Sequence, residues 1–178
     1  MISAREVTVS RFKSPSECSH FQCEKVGYTT FLQDKNQAKR LEAENTSVTY
    51  LFRVGSDIIG YVTLAMSSLK RSDLPKSLQD SHRFSKIPCL LLGQMARDKR
   101  YRNKGVGKIM VAWVRSRAYE LSREVGCRFV ILDAELDRKD HYERYLGFKA
   151  LPQDPGKNNV PMYFDLGMRG PSLKRRSR

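Results

Sequence analysis

The chain has 178 residues, 40% of them hydrophobic and 10% aromatic, enough for the core of one domain, since domains most often run to about 100 to 150 residues. No run of about 18 apolar residues occurs, which excludes a membrane-spanning helix. The opening MISAREVTVSRFKS alternates apolar with polar residues and lacks the apolar block of a signal peptide, so a cytoplasmic protein is expected. The 33 Lys+Arg against 19 Asp+Glu give a net charge of +14. That balance points to an anionic ligand or polymer without saying which anion, the alternative being charge that serves solubility alone.

In chain order, residues 7–12, VTVSRF, alternate like a half-buried strand, and Ser14-Pro15 interrupt it before a stretch of helical spacing. Residues 28–45 place Phe31, Leu32, Ala38 and Leu41 among charges, the pattern of a surface helix with one apolar face. Two β-rich runs joined by Gly55-Ser56-Asp57 predict a hairpin with strands near 48–54 and 58–66. Residues 67–88 are polar, end in a proline and hold no period, which reads as a long loop. The run CLLLGQMAR at 89–97 predicts a buried central strand, with Gly93 marking a bulge or a close backbone approach.

A helix should follow, with Met110, Val114, Ala118, Leu121 and Val125 on one face and Gly126 at its end. FVILDAE at 129–135 is a second buried strand, so the unit is β-α-β with parallel strands and a right-handed crossover. A short polar helix at 137–145, a strand in LGFKALP and a last strand at 159–168 complete a domain over 1–168. The basic end at 169–178 is expected to be disordered. Cys18, Cys23, Cys89 and Cys127 show no metal-ligand or framework spacing, which favours buried free thiols, with a disulfide or a zinc site as the minor alternative.

The segment between the central strand and the long helix carries the chemistry. Arg102-Asn103-Lys104-Gly105-Val106-Gly107 stands at a strand-to-helix junction, where the first N–H groups of a helix lack internal partners and glycines let an anion approach the backbone. Arg102, Lys104 and Lys108 add positive charge. Neither the Walker spacing nor the dinucleotide G-x-G-x-x-G is present.

R-x-x-G-x-G after an apolar strand, an amphipathic helix, a second apolar strand and the late Y-E-R-Y-L-G-F together resemble the GNAT N-acetyltransferases. The resemblance implies an α/β (α+β) fold whose mostly antiparallel sheet contains a splayed parallel pair, with helices on both faces. It implies acetyl-CoA as cosubstrate, its pyrophosphate held by Arg102 to Gly107 with Arg97 and Lys108 beside it, and no metal. Backbone at Met95 and Ala96 would stabilise the oxyanion, and Tyr142 would return a proton to the departing thiolate. The family pattern F-Y-E-R-F-G-F sets its tyrosine five residues before the last Phe, whereas Tyr142 precedes Phe148 by six, which makes Tyr145 the alternative acid.

A narrower resemblance is to the TacT-type acetyltransferase toxins, carried by F-Q-C-E-K-V-G-Y-T-T-F-L, I-P-C-L-L-L-G-Q-M-A-R-D and G-F-K-A-L-P-Q-D-P before a V-P-M strand. It implies the amino group of aminoacyl-tRNA as acceptor, tRNA contact through the basic surface, an antitoxin protein and a homodimer as partners, and no membrane. A protein N-terminus, a lysine or a small amine is the alternative acceptor, and a non-enzymatic nucleic-acid module the alternative class. Asp133 and Glu135 share one face of their strand by alternation, which offers a carboxylate to the cleft or, equally, a cap or a salt bridge, and assigns no base. His82 and His141 are expected to be non-catalytic.

Overall fold

The computed structural model describes residues 1–152 and 158–167. Its strands are β1 (Thr8–Arg11), β2 (Val48–Val54), β3 (Asp57–Lys70), β4 (Lys86–Arg97), β5 (Phe129–Glu135), β6 (Lys149–Ala150) and β7 (Asn159–Asp165). They form one sheet in the order β1-β2-β3-β4-β5-β7-β6. Every neighbouring pair is antiparallel except β4 with β5, the parallel pair expected from the β-α-β unit. The helices are α1 (Val26–Gln33), α2 (Ala38–Ala43), α3 (Lys76–Gln79), α4 (Val106–Glu124) and α5 (Lys139–Leu146).

Alternation along the strands sends side chains to the two faces of the sheet. On one face Met110, Val111, Val114 and Ala118 of α4 pack with Leu146 of α5 onto Ile59, Val62, Leu90, Val130 and Met162. On the other, Phe31, Leu32 and Ala38 of α1 and α2 cover Leu51, Ile58, Tyr61 and Ala96. Tyr61 is fully buried there, stacked 5.9 Å from Phe31, and its hydroxyl donates to the Tyr28 carbonyl at 2.9 Å. That bond locks α1 against the sheet.

Four expectations from the sequence need correction. The single helix over 28–45 is two, because the Asp34 backbone turns extended (ψ 123°) and its Oδ1 accepts the Asn36 N–H at 2.8 Å, a side-chain turn that competes with helix. The segment after Ser14-Pro15 is only a 3-10 turn, Pro15–Cys18. The presumed loop 67–88 loses both ends to a long hairpin: β3 continues to Lys70, paired with Lys86, and the middle holds a 3-10 turn and α3. Residues 65 to 70 alternate between half-buried and exposed, a strand signal hidden by their polarity. Val125 leaves the apolar face and is 70% exposed, since α4 ends at Glu124 and Gly126 (φ 82°) reverses the chain. The basic tail at 169–178, and the domain boundary set before it, lie outside the described residues.

Candidate active site

The parallel strands separate. β4 and β5 pair only at Cys89↔Phe129, Leu90↔Val130 and Leu91↔Ile131, although β4 runs on to Arg97 and β5 to Glu135. Beyond Leu91 each strand keeps only its outer neighbour, β3 or β7. The register of β3 with β4 steps from Thr63↔Gln94 to Leu64↔Leu92, so Gly93 is the extra residue of a bulge where the strands begin to part. The resulting V holds a cavity of about 190 Å³, lined by Tyr28, Met95, Arg97, Gly107, Glu135 and Tyr142 among others.

Backbone phase decides which groups of β4 face that cavity. The Asp98 N–H donates to the Ile59 carbonyl at 3.0 Å. In an antiparallel ladder such pairs alternate, so Ala96 turns its N–H and C=O to Tyr61 on β3, while Met95 and Arg97 turn theirs into the V. Of the two residues expected to stabilise an oxyanion, Met95 therefore has an available donor and Ala96 does not; Arg97 supplies the second free N–H.

At the open end of the V, beyond Arg97, a 3-10 turn at Lys99–Tyr101 leads into the glycine loop. Asn103 (φ 60°) and Gly105 (φ 83°) are left-handed, and Gly105 is the N-cap of α4. Among the described residues no acceptor meets the N–H groups of Asn103, Gly105, Val106 and Gly107, so several donors and the positive end of the helix dipole converge there. Among the described residues, apart from its own chain neighbours and the helix backbone it belongs to, Gly107 has no heavy atom within 4 Å of the position a Cβ would take. Arg102, Lys104 and Lys108 have no carboxylate at ion-pair distance among the described residues. Arg97 differs, because its guanidinium is held by Glu24 at 2.8 Å. The Lys104 carbonyl accepts the Ile2 N–H at 3.0 Å, which pins the loop from behind.

On the β5 side, Tyr142 of α5 lines the cavity and sets its ring edge-on to Phe148, centroids 5.8 Å apart. Burial pushes its phenol up to about 12, so it is protonated at neutral pH. Tyr145 is 61% exposed and faces Lys108 and His141 instead. The extra residue between Tyr142 and Phe148 is taken up at the helix end: Gly147 is left-handed (φ 66°), and the N–H groups of Gly147 and Phe148 both turn back to the Tyr142 carbonyl. Asp133 and Glu135 both line the cavity, as does His141, whose pKa is lowered by burial and by the charges of Arg138 and Lys108. His82 lies at the closed end of the V, its ring 5.7 Å from Phe129.

Sequence reading missed the third wall. Cys23, Glu24, Lys25 and Tyr28 close the cavity from the α1 side. Glu24 pairs with Arg97 at the end of β4, and Lys25 pairs with Glu135 at the end of β5 at 2.5 Å. Two adjacent residues thus strap the two diverging strand ends. Burial opposes ionisation of Glu24, but backbone hydrogen bonding and the Arg97 guanidinium outweigh it and hold the carboxyl below its ordinary value. Tyr28 is raised by burial first and by the Glu135 charge second. The signal in the sequence was F-Q-C-E-K-V-G-Y, whose acidic-basic pair has no meaning until the partner strands are placed. Among the described residues the cysteines are free and no cluster suited to a metal occurs.

Comparison with known proteins agrees with this fold. The structure of AtaT complexed with acetyl-methionyl-tRNAfMet is similar over 89% of this chain and 94% of that one, with a TM-score of 0.77 and 22% identity. That of a mutant of KacT is similar over 90% and 95%, with a TM-score of 0.77 and 26% identity. A tRNA-acetylating toxin of Mycobacterium tuberculosis is 22% identical over 98 residues, which span 55% of this chain and 58% of that relative. Residues 15–148, well over half the chain, match the acetyltransferase (GNAT) family, and the chain belongs to that family.

Proposed function

We propose that the protein transfers the acetyl group of acetyl-CoA to the amino group of an aminoacyl-tRNA. The observation that carries the acetyl-CoA part is the V between β4 and β5, with unpaired N–H groups at Gly105, Val106 and Gly107 on one side and a protonated Tyr142 on the other. The diphosphate of the cosubstrate sits at the start of α4, with Arg102, Lys104 and Lys108 around it, and the thioester arm extends along the free edge of β4.

The acceptor amine loses a proton to solvent and its nitrogen bonds to the thioester carbon. The oxyanion is met by the Met95 and Arg97 N–H groups; the C–S bond then breaks, and the thiolate takes the Tyr142 proton. The amide nitrogen sheds its second proton, which restores Tyr142 through solvent.

The acceptor assignment is supported by the net charge of +14, which suits a polyanion, and by relatives described as a tRNA-acetylating toxin and as AtaT complexed with acetyl-methionyl-tRNAfMet. Acting on tRNA places the protein in the cytoplasm. A mutant of the AtaT toxin has also been solved bound to the C-terminus of the antitoxin AtaR, and an antitoxin partner fits the same reading here. Incubation with radiolabelled acetyl-CoA and charged or uncharged tRNA tests it: label is expected on charged tRNA alone. Label on protein lysines or N-termini with none on tRNA overturns the acceptor assignment and leaves the cosubstrate assignment standing.

A further inference from the structure

Lys25 stands where a lysine is unfavourable. It is the N-cap of α1 and makes no side-chain cap, a position that prefers Ser, Thr, Asp or Asn and sits at the positive end of the helix dipole. Local rules broken in this way usually mark a functional demand. Here the side chain runs away from its own helix, and its ammonium meets Glu135 Oε2 at 2.5 Å. Glu135 is the last residue of β5, at the mouth of the V, in the same cavity as Tyr142 and Met95.

We propose that Glu135 is the docking group for the protonated amino group of the acceptor, and that Lys25 fills it in the free protein as an internal stand-in. The inference rests on the acetyltransferase reading above and names the residue that selects a primary ammonium. The Lys25 side chain is 51% exposed and that of Glu135 33%; ion pairs exposed to this degree contribute little net stability and exchange readily. An incoming ammonium therefore replaces Lys25 at small cost and arrives beside the groups that handle the thioester. Arg97, the cation on the opposite strand end, is neutralised by Glu24 and does not repel it. Tyr28, whose phenol is raised partly by the Glu135 charge, adds an aromatic wall to the same position. Lys25, once released, is free to meet an anionic part of the acceptor.

Asp133 also lines the cavity, so the test must separate the two carboxylates. Binding of alanine methyl ester and of methyl lactate, which replaces the amine with a hydroxyl, is to be measured calorimetrically at pH 6 on the CoA-loaded protein. The wild type is expected to bind the amino ester and to bind the hydroxy ester at least tenfold more weakly. Glu135→Gln should weaken the amino ester about tenfold and leave the hydroxy ester and CoA unchanged. Lys25→Met, which removes the competitor, should tighten the amino ester about threefold, and Asp133→Asn should leave it as it is. Equal binding of the two esters by the wild type overturns the proposal, as does Glu135→Gln binding like the wild type or Asp133→Asn taking the whole loss. None of these readings uses tRNA, so the ester result and the tRNA-labelling result fail independently.

Discussion

The carboxylate of Asp98, fully shielded from solvent, accepts the backbone N–H of Gln22 at 3.0 Å, 76 positions away in the chain, and the Lys99 N–H returns a bond to the Gln22 carbonyl at 2.7 Å. Residue 98 follows β4 and residue 22 precedes the Glu24-Lys25 strap, so this pair of bonds fixes the strap to the strand whose end it covers. Arg100 completes the carboxylate's shell through its backbone N–H at 2.9 Å and its guanidinium at 2.9 Å.

Asp98→Asn should destabilise the fold by about 2–3 kcal/mol, because it sets an amide against buried donors and takes from the Arg100 guanidinium the nearer of its two carboxylates, Asp57 remaining at 3.4 Å. Burial raises the Asp98 carboxyl, but the Arg100 and Gln22 hydrogen bonds prevail and hold it below its ordinary value. A depressed carboxylate contributes stability above its unfolded pKa, about 3.9, and loses it as pH falls through the lower folded value. Urea unfolding should therefore show the variant well below the wild type at pH 7 and the two converging as pH drops beneath the carboxylate range. A pH-independent difference would rule out the charged network as its cause.

Gly60 lets β3 approach β4 and α4 closely. A Cβ there would stand 2.9 Å from the Ala96 carbonyl oxygen and 2.7 Å from the Met110 sulfur. The methionine can swing aside, but the carbonyl belongs to the ladder that sets which β4 groups face the V. Gly60→Ala should cost about 1–3 kcal/mol through forced backbone displacement. Cosubstrate affinity should also fall, as the Met95 and Arg97 N–H groups move. Thermal unfolding and calorimetry on the same sample check both; an alanine variant as stable as the wild type would show that the approach is looser than described.

Position 107 separates steric from electrostatic effects at the glycine loop. Nothing occupies the space beside its Cα, so Gly107→Ala should fold normally, whereas Gly107→Asp places a negative charge where a diphosphate is to bind. The aspartate is expected to weaken acetyl-CoA binding at least tenfold, about 1.4 kcal/mol, with little change in melting temperature. Arg102→Ala should weaken it less, and more noticeably at low salt. Affinity unchanged in both would remove the diphosphate from the start of α4.

What the sequence disclosed about this site was whatever lies in one continuous stretch. The glycine loop and the two apolar strands were legible, because strand–loop–helix order and period carry them, whereas Tyr142 was reached only through the resemblance of Y-E-R-Y-L-G-F to the family pattern. The strap was not, since Glu24 and Lys25 acquire their roles from Arg97 and Glu135 on other strands, and no local pattern encodes an ion pair across a cleft. Ala96 was misjudged for a related reason: which of two neighbouring N–H groups is free depends on the phase of the β3–β4 ladder and hence on the bulge at Gly93, a register property. The break at Asp34 was a local signal outweighed by an apolar spacing that spans both helices.

Tyr142→Phe isolates the acid. The phenylalanine keeps the packing on Phe148 and removes only the hydroxyl, so the turnover number should fall about a hundredfold, the lower range of general acid catalysis, with the KM for acetyl-CoA within about twofold, a margin too small to register as lost binding energy. Tyr145→Phe, on the exposed side of the same helix, should leave turnover intact. Burial holds the Tyr142 phenol up to about 12, and a raised tyrosine contributes stability that is full below its unfolded pKa near 10 and is lost as pH climbs through the folded value. The acid therefore stays protonated throughout the range in which the acceptor amine is deprotonated. At saturating acceptor the turnover number should rise as the bound amine loses its proton and then remain level to at least pH 10. Turnover lost in Tyr145→Phe and kept in Tyr142→Phe would transfer the acid to Tyr145.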